Sequence, residues 1–196
     1  MYPSVGLRYR TIVADPPWPH ERTGLTFTGD DGAFVSHTVP YQTMTVDEIA
    51  ALPVKKLAEA DRWHVNGDRG GSHLYLWTTQ QFLWEARDVA LAWGFPITAV
   101  LVWCKPPRGF GMGGTFVSNV EFILFGRRGS PPAAPKRVPT QWFEWPRGRH
   151  SEKPEAFFDL VEGVSPEPRL ELFARRNRLG WDTWGDESLE HVELTA

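Results

Sequence analysis

Cysteine is almost absent from the sequence, since Cys104 is the only one among 196 residues. A single cysteine excludes an internal disulfide and a cysteine-ligated metal centre. The histidines are scattered, and no two stand at a spacing that suits a shared metal ion, so we expect no metal. Apolar runs long enough to cross a bilayer are also missing, and residues 1–10 hold no apolar signal segment. Together these absences predict a soluble, cytoplasmic protein without membrane contact.

An excess of positive charge is lacking too, because the formal net charge is −3. This argues against a uniformly basic nucleic-acid binder, although a net charge conceals local clusters. The apolar fraction of 41% and the charged fraction of 23% are typical of a globular protein, and the length predicts one domain, 1–196. Tryptophan, by contrast, is abundant. The ten tryptophans either fill the core or provide flat surfaces for nucleobases.

The apolar pattern predicts strands that alternate with helices. Short β-rich or apolar runs predict strands at 9–14, 73–77, 97–103, 120–125 and 170–174. Helical spacing predicts helices at 45–52, 80–93 and 155–162. Thr45 and Glu48 stand at the two positions of a capping box, which marks the start of the first helix. Apolar strands joined by helices imply a mostly parallel sheet with helices on both faces.

Residues 127–150 form a predicted insertion or loop that is rich in proline and arginine. Its only acid is Glu144, and Trp142, Phe143 and Trp145 lie between its positive residues. The positive residues are Arg127, Arg128, Lys136, Arg137, Arg147 and Arg149. Cations neutralise phosphates while aromatic rings stack on bases, so this segment predicts nucleic-acid contact. The alternative is a solvated, charged loop.

Asp15-Pro16-Pro17-Trp18 follows the first strand, which the two prolines end. In open parallel sheets, ligands bind beyond the carboxyl ends of the strands, so the four residues lie at a predicted binding edge. The Asp15 carboxylate and the Pro16 carbonyl are two acceptors suited to the N–H bonds of an adenine amine, and Trp18 offers a face to the base. Holding both N–H bonds frees the nitrogen lone pair to attack an activated methyl group. The alternative is a turn that merely ends the strand.

This tetrapeptide resembles the signature of adenine-N6 methyltransferases, and the whole chain is similar to the family that contains the eukaryotic mRNA adenosine methyltransferases. That family also has many bacterial and phage members. The resemblance covers residues 9–187. Its further segments follow the family's order, at 40–44 (PYQTM), 74–77 (LYLW), 102–105 (VWCK), 151–154 (SEKP), 171–175 (ELFAR) and 181–187. The resemblance implies a permuted Rossmann-like methyltransferase fold, in which the catalytic loop precedes the cofactor strand.

The resemblance also assigns roles by matching position, with S-adenosylmethionine as cofactor. Asp15 serves both the target amine and the cofactor ammonium, Lys153 pairs with the cofactor carboxylate, and Tyr41 lines the pocket of the acceptor base. The implied catalytic residues are Asp15, Pro16, Pro17, Trp18 and Tyr41. The implied cofactor-binding residues are Asp15, Lys153, Glu171, Phe173, Arg175, Asn177, Asp186 and Glu187, although family members commonly have Asn in place of Asp186.

Lys105 and Arg108 belong to a Gly-rich loop that follows a predicted strand. We interpret this loop as a clamp on the substrate, with a plain surface turn as the alternative. The sequence thus predicts methyl transfer from S-adenosylmethionine to the N6 amine of adenine in a nucleic acid, with DNA favoured over RNA. A non-catalytic nucleic-acid-binding subunit and a methyltransferase for a small adenine compound are the alternatives. Family analogy adds a homodimer or a partner subunit as an expectation.

Overall fold

A central sheet of seven strands organises the chain. The computed structural model describes residues 8–19, 26–27, 34–35, 42–59, 69–105, 115–116, 118–132, 137–146 and 152–185. The sheet contains β1 (Thr11–Ala14), β4 (Gly71–Thr78), β5 (Ile97–Cys104), β6 (Val120–Gly129), β7 (Trp142–Phe143), β8 (Arg169–Leu172) and β9 (Trp181–Trp184). A separate antiparallel pair consists of β2 (Thr26–Phe27) and β3 (Phe34–Val35).

The strand order across the sheet is β7-β5-β6-β4-β1-β8-β9. β1 lies between β4 and β8 and is parallel to both. β6 is antiparallel to both of its neighbours, while β7 and β9 are parallel to the strands beside them. The mostly parallel sheet predicted from the sequence is therefore confirmed, and it is consistent with a Rossmann-like methyltransferase fold.

Four α-helices cover the sheet in the described part of the chain. They are α1 (Val46–Ala51), α2 (Val54–Leu57), α3 (Leu83–Ala92) and α4 (Glu155–Val164), and a 3-10 turn at Gln80–Phe82 precedes α3. The predicted capping box is confirmed, because the Glu48 N–H donates to the Thr45 hydroxyl and the Thr45 N–H donates to the Glu48 carboxylate. None of these helices is long and apolar enough to cross a membrane.

Alternate residues of each strand supply two separate cores. Ile12, Leu74 and Leu170 belong to the core on one face of the sheet, together with residues of α1, α2 and α3. Val13 and Tyr75 belong to the core on the other face, together with α4. Burying a large apolar side chain contributes about 1.5–3 kcal/mol, so both faces stabilise the sheet. The two layers of helices fix β1 and β8 side by side at the centre of the fold.

The structure differs from the sequence-based expectation in three places. β6 continues to Gly129, so Arg127 and Arg128 belong to a strand although they were predicted within the insertion. β7 also lies within that segment, and the β2–β3 pair lies in a stretch for which the sequence predicted no strand. β9 was matched to the family only as a segment, yet it forms the edge strand beside β8. These short strands have too few residues to show a period, which explains why the sequence did not predict them.

Candidate active site

The loop after β1 is fixed by two backbone hydrogen bonds. The Trp18 N–H donates to the Pro16 carbonyl at 2.8 Å, and the Met44 N–H donates to the Pro17 carbonyl at 2.9 Å. A carbonyl oxygen has two lone pairs, so the bond from Trp18 leaves the Pro16 oxygen able to accept a second donor. Asp15 directly follows β1, at the carboxyl edge of the parallel strands. The sequence-predicted pair of acceptors therefore has a fixed backbone at the predicted edge.

Trp18 belongs to the hydrophobic core. Its side chain is only 4% exposed, and its indole N–H donates to the Trp77 carbonyl at 3.0 Å. Phe82 stacks on the Trp18 ring, with 5.7 Å between centroids and 11° between planes. The ring thus anchors the loop to β4 and to the turn before α3. Its stacking on a substrate base stays a prediction.

Four charged side chains form a row across the carboxyl edge of the sheet. Lys153, just before α4, lies 2.8 Å from an Asp15 carboxylate oxygen and 3.2 Å from a Glu121 carboxylate oxygen. Lys105, at the end of β5, pairs with the other Glu121 oxygen. Each ammonium also lies over an indole ring, Lys153 at 4.9 Å from the Trp77 centroid and Lys105 at 4.8 Å from the Trp103 centroid. Positive and negative groups therefore alternate along this row.

The charge row decides the protonation of its members. Burial raises the pKa of Asp15, and Lys153 opposes that shift. Burial also raises the pKa of Glu121, but the two lysines outweigh it, and the net pKa of Glu121 is lowered. The pKa of Lys153 is raised because Asp15 and Glu121 outweigh its burial. Asp15 and Glu121 therefore favour the cationic form of Lys153.

Glu171 adds a second buried acid next to Asp15, on β8. One of its carboxylate oxygens is buried and has no hydrogen-bond partner among the described residues. Burial raises the pKa of Glu171 to about 7; Arg178 opposes this shift and Asp15 adds to it. An unpartnered buried acceptor costs about 1–3 kcal/mol, so this oxygen favours a ligand that brings a donor.

The turn between β8 and β9 borders the same edge. Phe173 has a positive φ of 63° and packs edge-on against Trp184, with 5.3 Å between centroids. The Ala174 N–H donates to the Trp184 carbonyl, and Gly185 lies so close that a Cβ there would be 2.4 Å from the Ala174 oxygen. Arg175 and Asn177 are exposed in this turn. These two implied cofactor-binding residues thus occupy an accessible loop that follows Glu171, and their role stays a prediction.

The structure brings together some of the predicted site residues and separates others. Asp15, Lys153, Glu171 and Lys105 share one edge of the sheet. Arg127 and Arg128 lie at the opposite edge, because antiparallel β6 pairs them with His73 and Ser72 at the start of β4. Arg137 is exposed, five residues before the start of β7. The predicted residues outside the described part of the chain are Tyr41, Arg108, Lys136, Arg147, Arg149, Asp186 and Glu187.

Glu121 is the member of the charge row that the sequence analysis missed. It stands in Val120-Glu121-Phe122-Ile123, where it is an isolated acid at the start of an apolar strand. A carboxylate in a buried strand needs a cationic partner, and that requirement was the available signal. No three His, Cys, Asp or Glu side chains in the described ranges are grouped so as to hold a metal ion.

Comparison with known proteins gives a match over most of the chain. The family model described as MT-A70 matches residues 9–187. The type II methyltransferase M.MunI of a Mycoplasma species is 30% identical over 193 residues, which cover 92% of this chain and 78% of that protein.

Eukaryotic relatives are more distant and much longer. An N(6)-adenosine-methyltransferase MT-A70-like protein of Drosophila melanogaster is 24% identical over 196 residues, which cover 95% of this chain and 28% of the relative. The human N(6)-adenosine-methyltransferase catalytic subunit METTL3 is 23% identical, with 95% of this chain and 29% of the relative covered. The chain thus spans less than a third of either eukaryotic relative.

Proposed function

The chain belongs to the MT-A70 family, and from this premise we propose that it transfers a methyl group from S-adenosylmethionine to the N6 amine of adenine in a nucleic acid. The observation that carries the proposal is the contact between Asp15 and Lys153 beside Glu171, where parallel strands β1 and β8 end. Ligands bind at this edge in open parallel sheets, so the groups stand where a cofactor and an acceptor would meet.

The charges of the site fit S-adenosylmethionine, which methyltransferases of this family generally use. Lys153 supplies a cation for the carboxylate of the methionine moiety. The unpartnered oxygen of Glu171, together with Asp15, supplies acceptors for its ammonium. When bound, the cofactor supplies an activated methyl group on a positive sulfur. The amine nitrogen would bond to the methyl carbon as that carbon leaves the sulfur, and the nitrogen would then lose one proton to the Asp15 carboxylate that holds it. The protein has to align the amine with the methyl group and exclude water, which needs no strong base.

Asp15 and Pro16 are the residues that would hold the amine. The Asp15 carboxylate and the Pro16 carbonyl would each accept a hydrogen bond from one N–H group of the amine. These two hydrogen bonds favour a tetrahedral nitrogen, whose lone pair is no longer delocalised into the adenine ring. Lys153 contacts one Asp15 oxygen, and a carboxylate has a second oxygen for the amine. The hydrogen bond from Trp18 sets the direction of the Pro16 carbonyl before the substrate arrives. This preorganisation is the main catalytic contribution that we expect of the loop.

We favour DNA over RNA as the substrate. The relative that this chain matches over most of both lengths is named a type II methyltransferase, whereas the relatives named for adenosine extend far beyond the match. If the target adenine is paired in a duplex, it has to be flipped out, because pairing engages the amine.

A transfer assay with methyl-labelled S-adenosylmethionine tests the proposal. Duplex DNA, single-stranded DNA and RNA are offered in parallel to the wild type, to Asp15→Asn and to Asp88→Asn. Asn keeps the size of the side chain but removes the charge, so Asp15→Asn should lose at least about a hundredfold in rate. Asp88 is exposed on α3, and Asp88→Asn is the control that should retain activity.

The product and the pattern of variants decide between the candidate functions. Label at adenine N6 in one polymer, lost with Asp15→Asn, supports the proposal and names the substrate. Binding of S-adenosylhomocysteine without transfer to any polymer favours the small-molecule alternative or a required partner subunit. Nucleic-acid binding with neither cofactor binding nor transfer contradicts the proposal in favour of a non-catalytic subunit.

A further inference from the structure

Positive residues of three segments lie at the edge of the sheet opposite to Asp15. We call it the basic edge and define it as Arg8, Lys55, Lys56, Arg127 and Arg128. The Arg128 guanidinium donates to the Lys55 carbonyl, which ties the end of β6 to α2. The aliphatic part of the Lys55 side chain packs beside Gly94, because a Cβ built on that glycine would lie 3.6 Å from Lys55 Cγ. Three separate segments of the chain therefore hold these cations together.

Among the described residues, the arginines of the basic edge have no carboxylate partner in any of the ion pairs of the structure. Seven other described cations are paired with carboxylates, in Arg10–Glu59, Arg87–Asp88, Lys105–Glu121, Lys153–Asp15, Arg169–Glu167, Arg176–Glu155 and Arg178–Glu155. No described carboxylate forms an ion pair with Arg127 or Arg128. Burial and the like charge of Arg8 lower the pKa of Arg128, which shows that the two arginines repel each other. A surface that gathers like charges without carboxylates favours an external anion.

The register of the sheet gives the separation between this edge and the candidate active site. Arg128 pairs with Ser72 and Ala14 pairs with Leu76, so five residues of extended strand separate Arg128 from Asp15 along the sheet. At about 3.3 Å per residue this is roughly 16 Å. A nucleic-acid strand has one phosphate about every 3.4 Å, so a strand reaches this far with about five nucleotides.

We propose that the basic edge binds the phosphate backbone of the nucleic-acid substrate, at least about five nucleotides from the target adenine. The inference rests on the proposed function, and it makes the edge a second, sequence-independent contact. The repeated negative charge of a backbone matches a row of cations that belong to a strand, a helix and the start of the described chain. Substrates too short to reach the edge bind only at the target site, and longer ones gain affinity that falls with salt.

Equilibrium binding in the presence of S-adenosylhomocysteine tests this without turnover. Fluorescence anisotropy compares an oligonucleotide of about 7 nucleotides, whose adenine is central and so has only about three nucleotides on either side, with one of about 30 nucleotides, between about 50 and 200 mM salt. The main variant is Lys55→Gln/Lys56→Gln/Arg127→Gln, which leaves the half-buried Arg128 in place. Each lost phosphate contact lowers the slope of log affinity against log salt by about 0.7–0.9. The variant should therefore lose about two to three units of slope with the long substrate, and none with the short one.

A single substitution guards against misfolding of the triple variant. Arg127 is exposed, so Arg127→Gln alone should lower the slope by about one. Arg87→Gln removes the same charge from the outer face of α3 and should leave the slope unchanged.

An unchanged slope in both basic-edge variants overturns the inference and leaves an acidic protein surface as the occupant of this edge. Equal losses on short and long substrates also overturn it, because the cations would then act at the target site. Both results leave the proposed function intact. That function is contradicted by a different result, in which the wild type binds nucleic acid but neither binds S-adenosylhomocysteine nor transfers a methyl group to any polymer.

Discussion

Glu171 has a protonation state that changes near neutral pH. Its pKa is about 7 in the free protein, because burial disfavours the carboxylate. A cofactor ammonium placed beside it needs the carboxylate and would lower that pKa on binding. Cofactor affinity should therefore be highest above pH 7 and should fall as the pH drops below 7, by up to about tenfold per pH unit. Calorimetric titration with S-adenosylhomocysteine between pH 6 and 8.5 measures this.

Glu171→Gln is the matched control, since the amide has the same shape and does not titrate. Its affinity should be low and independent of pH across the same range. The folded-state pKa is above the unfolded value, so the acid stabilises the free protein at low pH and loses this contribution as the pH rises through 7. Glu171→Gln should consequently melt higher than the wild type at pH 8. A pH dependence equal to that of the wild type would assign the titration to another group.

Single residues also show how far the sequence reaches. Asp15 and Lys153 both lie in segments that resemble the family, so their presence in one site could be predicted from the sequence. The 2.8 Å ion pair between them could not. The burial of Trp18 was not, because a tetrapeptide does not show which face of its aromatic ring is covered. Glu121 was not predicted because its role depends on the direction of β6, which a short apolar run does not encode.

At the scale of elements, Glu121 joins three parts of the fold. It begins β6, contacts Lys105 at the end of β5, and contacts Lys153 in front of α4. Removing its charge with Glu121→Gln takes away one of the two carboxylates that raise the pKa of Lys153. We expect Lys153 to react faster with an acetylating reagent, about tenfold for each unit by which its pKa falls. Mass spectrometry of the labelled peptide measures the rate.

Lys105→Met separates this electrostatic effect from a loss of packing. In this variant Lys153 is the remaining cation that contacts Glu121, so the pKa of Lys153 should rise. Acetylation of Lys153 should therefore be slower than in the wild type. If both variants accelerate labelling, the change reflects looser packing around the charge row, and the electrostatic explanation is wrong.

The direction of β6 had a signal that sequence reasoning could have used. A parallel connection needs a crossover, usually a helix, whereas an antiparallel neighbour can follow a short loop. The predicted strand at 120–125 follows the one at 97–103 with no helical period between them. The strands flanked by α3 and α4 were predictable by the same logic, because each of these helices buries apolar residues at helical spacing, Ala86, Val89 and Ala90 in α3 and Phe157, Phe158 and Val161 in α4. β7 and β9 lie outside any such pattern.

For the whole molecule, His73 is expected to govern stability in acid. It is 4% exposed, its Nδ1 lies 2.7 Å from the Ser165 hydroxyl, and that hydroxyl lies 2.8 Å from the Tyr75 hydroxyl. Burial, then Arg127 and Arg10, lower the pKa of His73 to about 4, from 6.5. The folded state therefore resists protonation, and the free energy of unfolding should fall between pH 6.5 and pH 4 by about 3 kcal/mol. Denaturant unfolding at a series of pH values measures the loss.

His73→Asn provides the comparison, because its amide can still bond to Ser165 and has no proton to gain. The variant should be less stable than the wild type at pH 7.5 but should lose less stability toward pH 4. The same slope in both proteins would place the acid sensitivity elsewhere, for instance at the Asp15–Lys153 pair.

Within the tetrapeptide Asp15-Pro16-Pro17-Trp18, the tryptophan stabilises the fold and the aspartate belongs to the candidate active site. Its ring is packed between the sheet and Phe82, whereas the Asp15 carboxylate faces the ligand edge. A homologue in which Asp15 is replaced should lose methyl transfer but keep its fold. A homologue in which Trp18 is replaced should lose both the packing of the loop and the activity that depends on it. Inactive homologues should accordingly have a different residue at the position of Asp15 and retain the tryptophan at the position of Trp18.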